Sequence, residues 1–408
     1  MRPVEIKKDI HWVGAVDYNT RDFHGYALSP NGTTYNAFLI KDEKVTLFDT
    51  VKHGHEEEFF ENVALAAGGL EAVDYLVVNH LEPDHAGCLV ETVERVKPEK
   101  IFCSPMGLKA MDSLYHMKDK GWNIEALPTG ANLSLGRHTL QFLETRMLHW
   151  PDNMMTYIPE AKLLISSDAF GQNLASSERF VDEVDRAKLT ELMREYFANI
   201  VLPFSPIVQK TFEQIQKLGW EIDMIAPDHG LMFRGKDVAF AIQQYAELAA
   251  QHPTRRATIL FDTMWHSTET MARAIGDGLK DAGCEVTLMH LKANHHTSVM
   301  TEVSRSGAVI VGSPTHNNGI LPYVAGALQY MKGLKPQNKV GGVFGSFGWS
   351  GESVKIIKEW LTSMNIDVVG EGVRTKNVPD AEVLAQCFDY GRQIAQAIEA
   401  KMEACGVK

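Results

Sequence analysis

The part of the chain from residue 253 to residue 408 alternates short apolar runs with amphipathic segments, and this alternation limits its fold more than any other feature. The apolar runs are typical of buried strands, and the segments between them have helical spacing. Repeated β/α units of this length predict an α/β fold with a doubly wound parallel sheet. The predicted strands are 257–261, 285–290, 308–312, 340–344 and 368–372, and a helix over 381–404 closes the chain.

The loop after the first of these strands is rich in hydroxyl groups and leads into a predicted helix. Backbone N–H groups at a helix N-terminus bind anions, and the hydroxyls add donors. No G-x-G-x-x-G motif is present, so the pattern favours one terminal phosphate, as in FMN, over a dinucleotide. Simple N-capping would explain one hydroxyl but not three. The residues predicted to bind are Thr263, Met264, Trp265, His266, Ser267 and Thr268.

Two further loops follow strand ends, and both contain small residues. Such residues let backbone amides approach the edge of a flavin ring, and Trp265 or Trp349 could stack on that ring. The tryptophans could instead pack in the core or at an interface. All three loops lie at the carboxyl ends of the strands, where ligands bind in this kind of sheet. The second and third loops comprise Pro314, Thr315, His316, Asn317, Asn318 and Gly319, and Ser346, Phe347, Gly348, Trp349, Ser350 and Gly351.

The first part of the chain contains a dense cluster of possible metal ligands: His80, Glu82, Asp84 and His85. The cluster follows an apolar run, 75–78, that predicts a buried strand. Pro83 disfavours continuation of the strand, so we expect the four side chains to leave it on a tight loop and converge. Histidine and carboxylate side chains are poor core material. The spacing favours a metal site, and the alternative is a solvated polar loop.

Three single residues, His149, Asp168 and His229, also follow predicted strands. The strand before His149 is predicted to run over 139–148. Each residue alone is more often a hydrogen-bonded structural residue than a ligand. Together with the four-residue cluster they favour one shared site, because active-site residues of α/β folds gather on loops held by a rigid sheet.

Composition and charge narrow the possible partners. The chain has 408 residues and a formal net charge of -12, and no run of Lys or Arg forms the basic face that nucleic-acid binding needs. No apolar stretch reaches the roughly 18 residues of a membrane span, and the polar N-terminus lacks a signal-peptide core. We therefore expect a cytoplasmic protein that binds neither nucleic acid nor membrane. The five cysteines are scattered and form no C-x-x-C motif, which indicates reduced thiols and no rubredoxin module.

A polar segment over 251–256 separates the two parts of the chain. It contains Pro253, which ends a helix, and it directly precedes a new predicted strand. Such segments are typical of domain boundaries. We therefore predict one domain over 1–252 and a second over 253–408.

The ligand series of the first domain resembles the metal site of the metallo-β-lactamase fold, and more narrowly that of the flavodiiron proteins. Hydrolases of this fold typically carry His-x-His-x-Asp-His, and this chain has Glu82 at the second His position. A carboxylate adds a hard oxygen donor, which favours iron over zinc in a mixed N/O site. The resemblance implies a metallo-β-lactamase-like αββα domain and a flavodoxin-like domain, with two non-haem irons and FMN as cofactors.

The same resemblance implies which residues hold each iron. Asp168 would bridge the pair, and His85 is the ligand whose role varies among family members. Trp150 could wall the pocket, while His24 and Tyr26 could be outer hydrogen-bond donors or purely structural residues. One iron would be held by His80, Glu82 and His149, and the other by Asp84, His85 and His229.

The activity that the resemblance implies is reduction of O2 to water, of NO to N2O, or of both. Because the chain has no C-x-x-C motif, the electrons would come from another donor, either rubredoxin or reduced deazaflavin. A head-to-tail homodimer, or a dimer of such dimers, would bring the flavin of one subunit to the irons of another. Two alternatives are a zinc hydrolase of the metallo-β-lactamase fold and a flavodoxin-type electron carrier with a vestigial metal site.

Overall fold

The computed structural model describes residues 1–116 and 120–407. The chain divides into two compact units. The first comprises Met1–Phe197 and Pro206–Ala246, and the second comprises Ala198–Ser205 and the chain from Glu247 onward. Within the described residues, every helix falls short of the combined length and apolarity that a membrane span requires.

Strands β1 to β17 and helices α1 to α7 precede residue 251. The strands are Val4–Lys7 (β1), Ile10–Trp12 (β2), Ala15–Asp17 (β3), Asp22–Phe23 (β4), Ala27–Leu28 (β5), Thr33–Tyr35 (β6), Phe38–Ile40 (β7), Thr46–Phe48 (β8), Tyr75–Val78 (β9), Lys100–Cys103 (β10), Ile124–Ala126 (β11), Asn132–Ser134 (β12), Thr139–Glu144 (β13), Met154–Ile158 (β14), Leu163–Ile165 (β15), Met224–Ala226 (β16) and Phe233–Arg234 (β17). The helices are Glu56–Ala67 (α1), Pro83–Ala86 (α2), Leu89–Val96 (α3), Pro105–Tyr115 (α4), Arg186–Tyr196 (α5), Ser205–Leu218 (α6) and Lys236–Ala250 (α7).

Two sheets pack face to face in the first unit. One has the strand order β1-β2-β7-β8-β9-β10-β11, and the other has the order β12-β13-β14-β15-β16-β17. Apolar side chains of both sheets, such as Trp12 and Phe142, form the core between them. Helices α1, α3 and α4 cover the other face of the first sheet. On α7, Tyr245 contacts Phe170, which contacts Phe233 on β17 of the second sheet. The predicted αββα layering is confirmed.

The second unit is a parallel sheet with helices between its strands. Its strands are Arg256–Phe261 (β18), Glu285–His290 (β19), Ala308–Gly312 (β20), Val340–Phe347 (β21), Asp367–Val368 (β22) and Val373–Lys376 (β23). Its helices are Ser267–Asp281 (α8), His296–Arg305 (α9), Pro322–Leu334 (α10), Ser353–Ser363 (α11) and Ala381–Ala404 (α12). The order β19-β18-β20-β21-β22 is that of a flavodoxin-like doubly wound sheet, which confirms the predicted fold of this part.

The predicted strand over 368–372 is wrong. Two short strands, β22 and β23, pair in succession with β21, and a turn separates them. Gly370 and Gly372 have φ values of 56° and 81°, which lie in the left-handed region that glycine adopts readily and strands do not. Strand β23 is followed by one more loop at the carboxyl end of the sheet.

Two local predictions beside the candidate ligands are also wrong. The residues after Glu82 do not form a plain loop, because Pro83–Ala86 is one turn of helix with proline at its first position, where its missing N–H costs nothing. Strand β13 ends at Glu144 rather than at Leu148. His149 therefore lies on the loop between β13 and β14.

Candidate metal centre and cofactor pocket

The predicted metal ligands are carried by four segments of the first unit. The segment after β9, which includes the helical turn α2, carries the first four ligands, and the loop between β13 and β14 carries His149. Asp168 and His229 follow β15 and β16, which are parallel neighbours in the second sheet. Strands of both sheets therefore bring ligands to the same place.

Asn79 joins the two sheets directly before the first ligand. Its side-chain N–H donates to Asp49, which follows β8, at 2.8 Å. Its side-chain oxygen accepts from the Thr156 hydroxyl on β14 at 2.7 Å, and its carbonyl accepts from the N–H of Met154 at 3.1 Å. These bonds fix the start of the ligand loop relative to both sheets.

One set of ligand atoms, here called the His80 set, comprises His80, Glu82, His149 and Oδ2 of Asp168. Nε2 of His149 lies 3.0 Å from Glu82 Oε2 and 3.1 Å from Asp168 Oδ2. Nε2 of His80 lies 3.3 Å from Asp168 Oδ2 and 3.4 Å from Glu82 Oε2. The four atoms thus surround a common point.

A second set, here called the His229 set, comprises Asp84, His85, His229 and Oδ1 of Asp168. Nε2 of His229 lies 3.1 Å from Asp84 Oδ2 and 3.4 Å from Asp168 Oδ1. Nε2 of His85 lies 3.2 Å from Asp168 Oδ1 and 3.5 Å from Asp84 Oδ1. Each oxygen of Asp168 therefore faces a different set.

The geometry of both sets fits a bound ion. Two atoms that bind one first-row metal ion at about 2.1 Å, with bond angles of about 90° to 110°, lie roughly 3.0 to 3.5 Å apart. In addition, both carboxylate oxygens of Asp84 and the Nε2 atoms of His85 and His229 are buried without a hydrogen-bond partner among the described residues. Polar atoms left in this state are costly unless something binds them. A metal ion in each set would satisfy them.

The charge of the site also favours cations. Burial opposes ionisation of Asp168, but the charge of His85 and the hydrogen bond with His149 outweigh it and hold the pKa of that carboxyl well below its usual range. Burial also opposes protonation of His80, yet hydrogen bonds with Asp152 and Glu82 outweigh it and raise the pKa of that imidazole to about 10. The protein alone would thus balance its buried carboxylates with protons, and metal ions can replace those protons.

Three residues that sequence reasoning missed hold the ligands from behind. Asp152 accepts a hydrogen bond from Nδ1 of His80 at 2.9 Å, and the carbonyl of Thr34 accepts from Nδ1 of His229 at 2.7 Å. The hydroxyl of Tyr196 donates to Asp168 Oδ1 at 2.9 Å. Asp152 follows His149 closely in the sequence, and this closeness is a signal that could have pointed to it. No local signal linked Thr34 or Tyr196 to the site.

The other residues predicted near the metal site are Trp150, His24 and Tyr26. The ring of Trp150 meets the His80 ring edge-on at 5.3 Å, so it lies where a wall of the site would be. His24 and Tyr26 are exposed near the hairpin of β4 and β5. From that hairpin, the buried ring of Phe23 lies 5.2 Å from the His229 ring. The role of His24 and Tyr26 as outer donors stays a prediction.

A cavity of about 400 Å³ opens at the carboxyl end of the sheet in the second unit. All three predicted loops contribute to it, and the loop after β23, which was not predicted, adds Asn377 and Val378. The predicted residues that line it are Thr263, Met264, Trp265, Ser267, Pro314, Thr315, His316, Asn317, Ser346, Phe347, Gly348 and Trp349. The predicted residues that do not line it are His266, Thr268, Asn318, Gly319, Ser350 and Gly351.

The cavity has the groups that a phosphate and a flat ring require. The hydroxyl of Thr263 is buried without a hydrogen-bond partner among the described residues, and Ser267 begins helix α8 beside it. Thr268 instead contacts the Ser346 hydroxyl at 3.2 Å. Trp265 and Trp349 are 85% and 88% exposed, so the alternative that they pack in the core is wrong. The cavity therefore fits FMN, whose phosphate Thr263 and the helix N-terminus could hold.

Comparison with known proteins gives two family matches that follow the two units. Residues 33–230 match a family described as ODP family beta lactamase, and residues 259–391 match the flavodoxin family. The chain is 53% identical over 405 residues to a rubredoxin-oxygen oxidoreductase of Megalodesulfovibrio gigas, and the match covers 99% of this chain and 100% of that protein. It is 44% identical over 400 residues to a nitric oxide reductase of Moorella thermoacetica, over 97% of this chain and 99% of that protein.

Solved structures agree with these matches. The crystal structure of the flavodiiron protein from Giardia intestinalis has a TM-score of 0.94 and 34% sequence identity, over 99% of this chain and 98% of that chain. The relatives reported above are named as oxidoreductases, which does not support the alternative of a zinc hydrolase. The chain therefore belongs to the flavodiiron proteins, a family of oxidoreductases that carry a non-haem diiron site together with a flavodoxin domain that implies FMN.

Proposed function

We propose that this chain reduces O2, NO or both at a pair of iron ions, with electrons that pass through FMN. The observation that carries the proposal is the position of Asp168, whose two oxygens face two separate sets of histidine and carboxylate ligands. When bound, two ferrous ions and reduced FMN supply the four electrons that take O2 to two waters, or the two that take two NO to N2O and one water.

Each set of ligands has a defined task in this proposal. The His80 set would hold one iron and the His229 set the other, and Asp168 would offer one oxygen to each. Nδ1 of His80 is hydrogen-bonded to Asp152 and Nδ1 of His229 to the Thr34 carbonyl, so Nε2 of each ring would be free to bind an ion. Burial of the ligands limits the entry of water to the site.

Rubredoxin is the electron donor that the names of relatives support, since one of them is a rubredoxin-oxygen oxidoreductase. Reduced deazaflavin is the alternative donor. We also propose a head-to-tail homodimer, or a dimer of such dimers, and a domain boundary at residue 252. A cytoplasmic location stays a prediction. Light scattering on the active protein tests the dimer, because an active monomer of 45.5 kDa would contradict it.

Anaerobic stopped-flow with the fully reduced protein tests the proposed reaction directly. We expect O2 to oxidise the flavin and the irons without release of peroxide, NO to yield N2O, or both. His149→Asn, which removes one ligand of the His80 set, is the matched variant and should lose most of the turnover. A parent protein that holds two irons and FMN but oxidises with neither gas would refute the proposal.

A further inference from the structure

The histidines of the two ligand sets differ in the hydrogen-bond partners of their Nδ1 atoms. His80 is backed by a carboxylate, whereas His229 is backed by a neutral carbonyl. His85 has no hydrogen-bond partner at Nδ1 among the described residues, and the nearest acid, Asp228, lies 3.9 Å away. The two metal positions are therefore not equivalent, although each offers two imidazoles and carboxylate oxygens.

Asp152 is held firmly in its place behind His80. It is 3% exposed. One of its oxygens, Oδ2, accepts both from Nδ1 of His80 at 2.9 Å and from the N–H of Leu81 at 2.8 Å. Its backbone carbonyl accepts from the hydroxyl of Ser104 at 2.7 Å. The carboxylate is thus held by the ligand segment, and the backbone of Asp152 is held by the residue that follows β10.

A carboxylate behind a ligating imidazole has two effects. It fixes the proton on Nδ1, so that Nε2 faces the metal. It also makes the imidazole a more basic metal ligand than it would be with a neutral carbonyl as the hydrogen-bond partner. Loss of such an outer partner typically weakens metal binding by about 10-fold to 100-fold. Among the residues that the structure describes, none provides the His229 set with a hydrogen-bonded outer carboxylate of this kind.

We propose that Asp152 is a positioning residue that makes the His80 set the tighter of the two iron positions. The first ferrous ion then binds in the His80 set, and the second binds more weakly in the His229 set. This inference rests on the proposed function only in taking iron as the bound ion.

Ferrous ion alone is the probe that tests the inference. Metal is removed from the FMN-loaded protein, and Fe2+ affinity is measured anaerobically by competition with a coloured chelator. His229→Ala should retain the tighter of the two binding steps, and His149→Ala should lose it. The opposite pattern, or two equal steps in the parent, would overturn the proposal.

Asp152 itself is tested in these two backgrounds. Combined with His229→Ala, the change Asp152→Ala should weaken the remaining ion by about 10-fold to 100-fold. Asp152→Asn, which can still accept the hydrogen bond but lacks the charge, should restore part of that loss. Combined with His149→Ala, Asp152→Ala should change the affinity of the remaining ion by less than about threefold. Equal losses in both backgrounds would show a general structural effect and refute the assignment.

Asp237 supplies the matched control. It is also 3% exposed, but it pairs with Arg186 and is not among the predicted ligands or their partners. Asp237→Ala should leave both iron affinities unchanged, and thermal melting of every metal-free variant checks folding. Where Asp152→Ala melts early, Asp152→Asn decides the outcome. A parent that binds two irons in unequal steps but reduces neither gas would refute the proposed function and leave this inference standing.

Discussion

The metal centre and the flavin cavity are built in different ways, the first from buried charged side chains and the second from loops around an open cavity. The metal ligands are largely buried charged side chains, fixed by hydrogen bonds to residues from both sheets of the first unit. The flavin cavity is an open depression of about 400 Å³ built from short polar loops at one edge of a single sheet, with exposed tryptophans on its rim.

The difference follows from what each site has to bind. Buried carboxylates repel one another unless cations neutralise them, so their positions have to be enforced by the surrounding structure. A flavin with one phosphate is held by backbone amides, a helix N-terminus and flat contacts, which loops at strand ends supply without buried charge. We therefore expect single substitutions to damage the metal centre far more than the flavin cavity.

Replacement of Asp168 should give the largest effect. Asp168→Ala removes an oxygen from each ligand set, so we expect iron content to fall from two toward zero and gas reduction to fall by at least about 100-fold. FMN content should stay at the parent level, because the cavity lies in the other unit. Iron and flavin analysis of the purified variant measures both. Retention of both irons would show that Asp168 does not bridge them.

Loss of hydroxyls at the flavin cavity should have a moderate effect. Thr263→Val together with Ser267→Ala removes two donors proposed for the phosphate, and hydrogen bonds to charged groups contribute about 1.5 to 3 kcal/mol each. We expect FMN binding to weaken by tenfold or more, with iron content unchanged. Fluorescence titration of flavin-free protein with FMN measures the affinity, and riboflavin, which lacks the phosphate, is the control ligand. Equal losses for both ligands would place the phosphate elsewhere.

Lys339 is an exception to this contrast, because it is a buried ionisable group in the second unit. It is 1% exposed, and its amine donates to the carbonyls of Ser304 and Ser306. Burial lowers its pKa from 10.5 to about 7. The unfolded chain therefore binds more protons between about pH 7 and 10.5, and the free energy of unfolding rises with pH in that window. The rise contributed by one group is at most about 1.4 kcal/mol per pH unit.

Lys339→Met should remove this contribution to the pH dependence, even though the two carbonyls lose their donor at every pH. Urea unfolding between pH 7 and 9, followed by flavin fluorescence, measures the slope. The exposed Lys335 is the control, and Lys335→Met should keep the parent slope. An unchanged slope in Lys339→Met would mean that the buried amine stays charged in the folded protein.

Removal of an exposed tryptophan should have the smallest effect on stability. Trp349 is 88% exposed, and surface changes of this kind usually alter stability by less than about 0.5 kcal/mol. We expect Trp349→Ala to melt with the parent while the visible spectrum of the bound flavin changes, because the ring loses a neighbour. A large drop in melting temperature would show that Trp349 is buried in the assembled protein.

Much of the metal centre could be predicted from the sequence because several of its ligands are histidines and carboxylates at short spacings. His80, Glu82 and His85 stand in one short segment, and loops between strands bring His149 and Asp168 to it. The alternation of strands and helices likewise predicted the doubly wound parallel sheet of the second unit. In both cases the signal is local in the sequence, or comes from a regular period.

The supporting contacts could not be predicted, because they join positions far apart in the sequence. Asn79 meets Thr156 across 77 residues, and His229 meets Thr34 across 195. Neither Thr156 nor Thr34 lies in a sequence pattern that would mark it as a contact of the site. The loop with Asn377 was missed because one strand was predicted over 368–372, where the structure has a turn with two glycines. The short strand β23, which follows this turn and precedes the loop, was therefore not predicted.

Metal and flavin analysis of the protein, expressed with sufficient iron and purified without air, measures whether one chain holds a pair of irons and a flavin. We expect two irons and one FMN for each chain, with both irons lost in Asp168→Ala and the flavin retained. Two zinc ions in place of iron, or a protein that holds iron but no flavin, would contradict this expectation.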